Sequence, residues 1–177
     1  MTMRWAIAVL AIAATGCTNA MEREAEMTPT PLGGAVAVLK TATGAEVGRA
    51  IASETAGGVR IAIDGVNMPP GSHGVHVHTI GRCDGPDFTT AGGHWNPTAM
   101  QHGTRNPAGP HAGDLPNLMI GTDGRGSLAM SLPAGTMAGL LDADGSAFVV
   151  HAGPDDLKTD PAGNSGARIA CGMFVAS

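Results

Sequence analysis

The chain of 177 residues contains no tyrosine, and its aromatics amount to three phenylalanines and two tryptophans. Basic residues are scarce as well, ten against fifteen acids, giving a formal net charge of −5. That deficit argues against nucleic acid or an anionic membrane face as a partner. No apolar run reaches the roughly 18 residues of a membrane-spanning helix, and the run from Trp5 to Ala14 falls well short. Cysteine is nearly absent, with three copies. What is abundant is punctuation: 27 glycines and 12 prolines make up more than a fifth of the chain. Such punctuation favours many short strands joined by turns over long helices, in a chain long enough for one domain with its own core.

The first residues stand apart. "MTMRWAIAVLAIAATGC" has one cation, Arg4, then the apolar run, then small residues, which is the pattern of a bacterial export signal over residues 1–17. Its end, Thr15-Gly16-Cys17, resembles the cleavage box of bacterial lipoproteins, where the cysteine receives a lipid. Ala14 stands where leucine is usual, so plain cleavage is the alternative to a lipid anchor at Cys17. Residues 18–32 carry charge and proline without hydrophobic periodicity and read as a tether, leaving 33–177 as the domain. Setting Cys17 aside leaves Cys83 and Cys171. In an exported protein such a pair points to a disulfide, against the plainer reading of two buried thiols.

Alternation marks about eight strands, near 34–41, 46–52, 57–65, 72–78, 117–121, 126–132, 147–152 and 167–175. In "GGVRIAIDG", Val59, Ile61 and Ile63 fall on one face and Arg60 and Ala62 on the other. Thr122-Asp123-Gly124 reads as a hairpin turn. Strands this short and evenly spaced predict an all-β fold, an eight-stranded Greek-key barrel or sandwich. Two stretches, 79–116 and 153–166, lack periodicity and are rich in Gly, Pro, Asp and Asn. Loops of that length in a small domain are usually functional.

Seven histidines are distributed suggestively around those loops. In "GVHVH", His76 and His78 are two apart, so on a strand they share a face while Val75 and Val77 take the other. Two neighbouring imidazoles are poor packing but well placed to grip a metal. His94, His102, His111 and His151 follow, with Asp114 after His111 in a His-x8-His-x2-Asp spacing that could wrap an ion without regular structure. Imidazole suits copper and zinc, and a four-coordinate set with one carboxylate suits zinc. His73 has the parity of Val75 and Val77, on the core side, and reads as a structural histidine bonded to backbone.

The motifs "GVHVH", "GGHWNP", "HAGDLPN", "VVHAGPDD" and "GNSGARIACG" resemble, in order, those of copper/zinc superoxide dismutases, most of all the bacterial exported branch. The similarity runs from about residue 33 to the end. It implies copper on His76, His78, His94 and His151, and zinc on His94, His102, His111 and Asp114, with His94 bridging both ions through its two ring nitrogens. It implies that Asp155 accepts hydrogen bonds from one histidine of each set, that Cys83 and Cys171 are joined, and that Arg168 docks a small anion beside copper. Val75 and Trp95 stand where the family commonly has phenylalanine, both as packing positions.

The implied reaction is disproportionation of the superoxide anion to dioxygen and hydrogen peroxide by alternate reduction and reoxidation of copper, His94 taking and giving a proton. A net charge of −5 opposes an anionic substrate. Arg168, Lys158 and the metals would have to make the mouth locally positive, against Asp155, Asp156 and Asp160 in the same loop. Two rivals are a non-catalytic copper/zinc-binding lipoprotein on the same barrel and a metal-dependent hydrolase built on His-x-His. Relatives of the exported branch occur as monomers and as homodimers, and both states are compatible with this chain.

Overall fold

The computed structural model describes residues 33–177; the expected signal segment, the tether and Cys17 lie outside them. Three consecutive strands form an antiparallel meander: β1 (Gly34–Lys40), β2 (Glu46–Thr55) and β3 (Gly58–Gly65). The chain then crosses to β4 (Gly71–His73) and β5 (Val75–His78), and after the first long loop to β6 (Leu118–Ile120). It returns as β7 (Gly126–Leu132) beside β3, passes through a four-residue helix α1 (Met137–Leu140), and crosses again to β8 (Ala147–His151) between β5 and β9 (Arg168–Met173). A short β10 (Val175–Ala176) pairs with β1. The main sheet runs β5-β8-β9-β1-β2-β3-β7, and β4 and β6 form a small second sheet. These crossings make the Greek-key barrel that the sequence predicts.

The core follows from alternation. Val59, Ile61 and Ile63 point inward from β3 while Arg60 stays exposed, and Ala35, Ala37 and Leu39 do the same from β1. Leu118, Leu140 and Phe148 fill the centre with no exposure. Each such side chain contributes about 1.5–3 kcal/mol through burial.

Two sequence expectations change in detail. The stretch 72–78 is not one strand: the ladder breaks at Gly74, with β4 paired to β6 and β5 paired to β8. A Cβ at Gly74 would lie 2.8 Å from Ser165 Cβ, so the close approach of the second loop requires a bare backbone there. The turn after β6 does close, with the Gly121 N–H donating to Arg125 O at 2.8 Å. Beyond it, β6 turns to β4 and β7 to β3, so the pair is not a simple hairpin.

Candidate metal centre

β5 lies at the end of the main sheet's strand order, and β8 pairs with only one of its edges. The first long loop takes the other. Val77 N–H donates to Gly113 O at 2.9 Å, Trp95 N–H to Val77 O at 2.8 Å and Thr79 N–H to Gly93 O at 3.0 Å. Isolated bridges set His76 opposite Asp114 and His78 opposite His94. An unsatisfied strand edge thus recruits the loop backbone, and with it two side chains that the sequence leaves far away. From the β8 side, the His151 N–H donates to Gly74 O at 2.8 Å, which brings His151 to the same place.

Counting ring nitrogens defines the site. His76 Nε2–H donates to Asp155 Oδ2 at 2.7 Å, His78 Nδ1–H to Gly92 O at 2.9 Å and His151 Nδ1–H to Gly166 O at 3.0 Å. Each partner fixes one tautomer and leaves the opposite nitrogen with a free lone pair. The orphans are His76 Nδ1, His78 Nε2, His151 Nε2 and, with them, His94 Nε2; all four are buried without any hydrogen-bond partner. Donor atoms of these four residues lie within 4.8 Å of one another. Four buried lone pairs aimed at one point are costly unless a cation sits there.

The other nitrogen of His94 belongs to a second cluster. Nδ1 of His94, His102 and His111 lie 2.8, 3.0 and 3.3 Å from Asp114 Oδ1. His76 also brings a donor atom within 4.8 Å of those of His94, His102 and Asp114. His76 is ruled out of that set because Asp155 occupies Nε2 and Nδ1 faces the first cluster, whereas His111 Nδ1 is 3.4 Å from His94 Nδ1. The two clusters therefore share one imidazole. Asp114 is itself held by the N–H groups of Gly103 at 2.8 Å and His111 at 3.0 Å.

Protonation in the metal-free protein follows from these contacts. Burial pulls His76 down to about 3, against the hydrogen bond to Asp155; burial also pulls His78 to about 2 and His151 to about 4, and it lowers His94. His102 goes the other way. Burial opposes its charge, but hydrogen bonds to Asp114 and Asp155 outweigh that and raise it to about 9. Burial would raise both carboxyls, yet those same hydrogen bonds keep them well below the usual carboxylate range. The four lowered histidines contribute stability above their unfolded value of about 6.5, and lose it as pH falls from there through their lower folded values. The two carboxylates lose theirs as pH falls below about 4. His102 contributes below about 6.5 and loses its share as pH rises through about 9. Urea unfolding of the chelator-stripped protein should therefore show greatest stability near neutrality and a steep fall below about pH 6. A flat profile from pH 7 to 4.5 would contradict the buried-neutral assignment.

The remaining candidate residues are placed as follows. Arg168 stands across the ladder from His151, and its guanidinium donates to Phe88 O at 2.6 Å and Gly92 O at 2.7 Å. Gly92 O is also the acceptor for His78, so one carbonyl orients both side chains beside the first cluster. Asp155 joins the clusters, accepting from His76 and, at 3.0 Å, from His102 Nε2. Its carboxylate is buried, so of the acids in the second loop Asp156 and Asp160 are the ones facing water, along with Lys158. His73 lies outside both clusters: its ring nitrogens face His151 O and Pro69 O, each at 2.8 Å. The parity argument does not carry across the break at Gly74, but the ring is bound to backbone as expected. Val75 and Trp95 are buried packing residues. Cys83 and Cys171 form a disulfide with a Cα–Cα distance of 5.7 Å. Asn117, the last residue of the "HAGDLPN" motif, makes two hydrogen bonds to the Asp155 backbone. Its only advance signal is an amide side chain directly before a strand.

The chain is similar to known proteins in sequence and in fold. The family model described as copper/zinc superoxide dismutase matches residues 47–174. Cu-Zn superoxide dismutase 1 of Aquifex aeolicus is 45% identical over 138 residues, covering 73% of this chain and 80% of its own. The Cu-Zn superoxide dismutase of Caulobacter vibrioides is 42% identical over 147 residues, covering 79% and 84%. Among solved structures, a double mutant of a SOD-like protein from Bacillus subtilis superposes with a TM-score of 0.73 at 45% identity, covering 78% of this chain and 95% of that one.

Proposed function

Since this chain belongs to the copper/zinc superoxide dismutase family, we propose that His76, His78, His94 and His151 hold its copper and that His94, His102, His111 and Asp114 hold its zinc. The protein is an oxidoreductase that disproportionates superoxide, and copper and zinc are its cofactors. The observation that carries the residue assignment is the set of four orphaned, convergent nitrogens, one of them on a ring whose other nitrogen faces a carboxylate-bearing cluster. An all-imidazole set fits copper, and a set with one carboxylate fits zinc.

Copper, when bound, supplies the one-electron exchange in both directions that turns two superoxide ions and two protons into dioxygen and hydrogen peroxide, while zinc with its filled d shell does no redox work. The chain's own residues do the rest. His94 can carry a proton at Nε2 when that nitrogen is not coordinating, and its Nδ1 side keeps the ring in place while it does so. Arg168 offers a permanent cation beside the first cluster, in a fork pinned by two carbonyls, which favours docking of a small anion. Asp155 holds His76 and His102 in the tautomers that direct the opposite nitrogens inward.

Protein loaded with both metals should remove superoxide, and protein loaded with zinc alone should not. The rate of the loaded protein should fall as salt rises, because attraction at the mouth is local and screenable over about 8–10 Å. Superoxide removal by the zinc-only form would contradict the reading, and a rate that stays flat or rises with salt would contradict local attraction at the mouth. The metal-binding lipoprotein that lacks catalysis predicts no removal in either case.

The domain follows a signal-like segment, 1–17, and a tether, 18–32. Together with the disulfide, this supports export to the bacterial periplasm or envelope, with a lipid at Cys17. Fractionation of a Cys17→Ser chain separates anchoring from plain cleavage: the substitution moves the protein out of the membrane fraction only if the parent is anchored there.

A further inference from the structure

We propose that Asn117 is a positioning residue for the zinc-binding half of the centre, acting through the backbone of Asp155. The proposal rests on the assignment of His102 and Asp114 to zinc given above. Asn117 sits three residues after Asp114 and immediately before β6. Both ends of its amide are used on a single residue. Nδ2–H donates to Asp155 O at 2.9 Å, and Oδ1 accepts from the Asp155 N–H at 2.7 Å. A primary amide in this orientation copies the donor and acceptor of a neighbouring strand, so it fixes both the place and the rotation of residue 155. Asp155 lies outside any regular element and needs that external partner.

The consequence falls on His102. Its Nδ1 is 3.0 Å from Asp114 Oδ1 and its Nε2 is 3.0 Å from Asp155 Oδ1, so the ring is suspended between two carboxylates. One carboxylate belongs to the first long loop and the other to the second. Asn117 is the rigid link that sets their separation. Leu115, two residues before it, is fully buried, and the following Leu118 is paired with His73. On the far side a Cβ at Gly163 would overlap Asp155 Oδ1 and lie 2.7 Å from His102 Nε2, so bare backbone closes the space there. The Leu157 N–H also holds Asp155 Oδ1, at 2.6 Å, but it belongs to the same loop and moves with it. With the clamp removed, the backbone of residue 155 can shift, and His102 loses the placement of the partner that directs Nδ1 toward zinc.

The test is zinc affinity of the full chain, measured by competition with a chelator of known strength, with the visible spectrum of Cu(II) recorded alongside. Asn117→Ala should weaken zinc by about 10–100-fold, the usual scale for partners behind a metal ligand, and should shift the Cu(II) band through His76. Asp155→Asn should weaken it comparably. The double variant should be no weaker than Asp155→Asn alone, within about twofold, because the amide acts only through that residue. Asn117→Asp keeps the size and the acceptor but sets a carboxylate oxygen against the Asp155 carbonyl, and should weaken zinc at least as much as Asn117→Ala. If Asn117→Ala does not fold, Asn117→Asp is judged on the same scale. Zinc affinity within about twofold of the parent, or losses that add in the double variant, would overturn the proposal. So would failure of both Asn117 variants to fold, which would place the role in the barrel. A parent that binds no zinc would instead sink the assignment of the site itself.

Discussion

His94→Ala, reconstituted with copper and zinc, is expected to lose superoxide dismutase activity by at least about 100-fold and to bind both metals more weakly. Loss of merely supporting partners already costs about 10–100-fold at metal sites, and His94 is a donor to two clusters at once. Its Nε2 is one of the four orphans, and its Nδ1 is 2.8 Å from Asp114. The ring is also packed against His76 with centroids 3.9 Å apart, so alanine opens a gap between the sets as well as deleting two donors. No neighbour can substitute. His111 belongs to the second cluster only, and the other three nitrogens of the first cluster are fixed by their own hydrogen bonds. The measurement is metal content and activity together. Activity within about tenfold of the parent at full copper loading would remove the shared imidazole from the mechanism; loss explained wholly by absent copper would leave only its role as a ligand.

Much of this site is legible in the sequence because its chemistry is carried by side chains with fixed periodicity. The His76 and His78 pair follows from the two-residue repeat of a strand, and the His102, His111 and Asp114 spacing follows from what a loop can wrap. Asp155 is named by the motif resemblance, but the supporting contacts made by backbone atoms are not legible. Gly92 O and Gly166 O set the tautomers of His78 and His151, and no side-chain motif encodes a carbonyl's direction. The same limit explains the fold. β3 declares itself through Val59, Ile61 and Ile63, whereas the break between β4 and β5 depends on a loop whose Ser165 arrives about ninety residues later against Gly74. Helix α1, with Thr136 as its cap, is four residues long, too short to leave a 3.6-residue pattern. Asn117 belongs to this class: its partner is the backbone of residue 155, so the identity of Asp155 carries no information about it.

The disulfide has the second large expected effect, and here stability and activity should separate. Replacing Cys83 and Cys171 together by serine should lower stability by about 4–5 kcal/mol on the chain-entropy estimate for a long closed loop. For a domain of this size that corresponds to roughly 10–15 °C in Tm. The cross-link spans 88 residues and joins the start of the first long loop to β9, so its main effect is on the freedom of the unfolded chain. The native loop has other anchors. Thr79 and Ile80 donate to Gly93 O and Ala91 O at 3.0 and 3.1 Å, and Phe88 is buried against Ala91, Ala147 and Val149. Gly92 O, which orients both His78 and Arg168, lies within that anchored stretch, while Phe88 O lies nearer the freed end. Activity per bound copper well below Tm should therefore drop by no more than several-fold. Thermal scans at matched metal loading check the first part, and superoxide removal at 25 °C checks the second. A Tm change under about 3 °C would mean that the folded loop is strained or the unfolded chain already ordered. A collapse of activity with copper retained would mean that the cross-link, and not the loop's own contacts, holds Arg168 over the site.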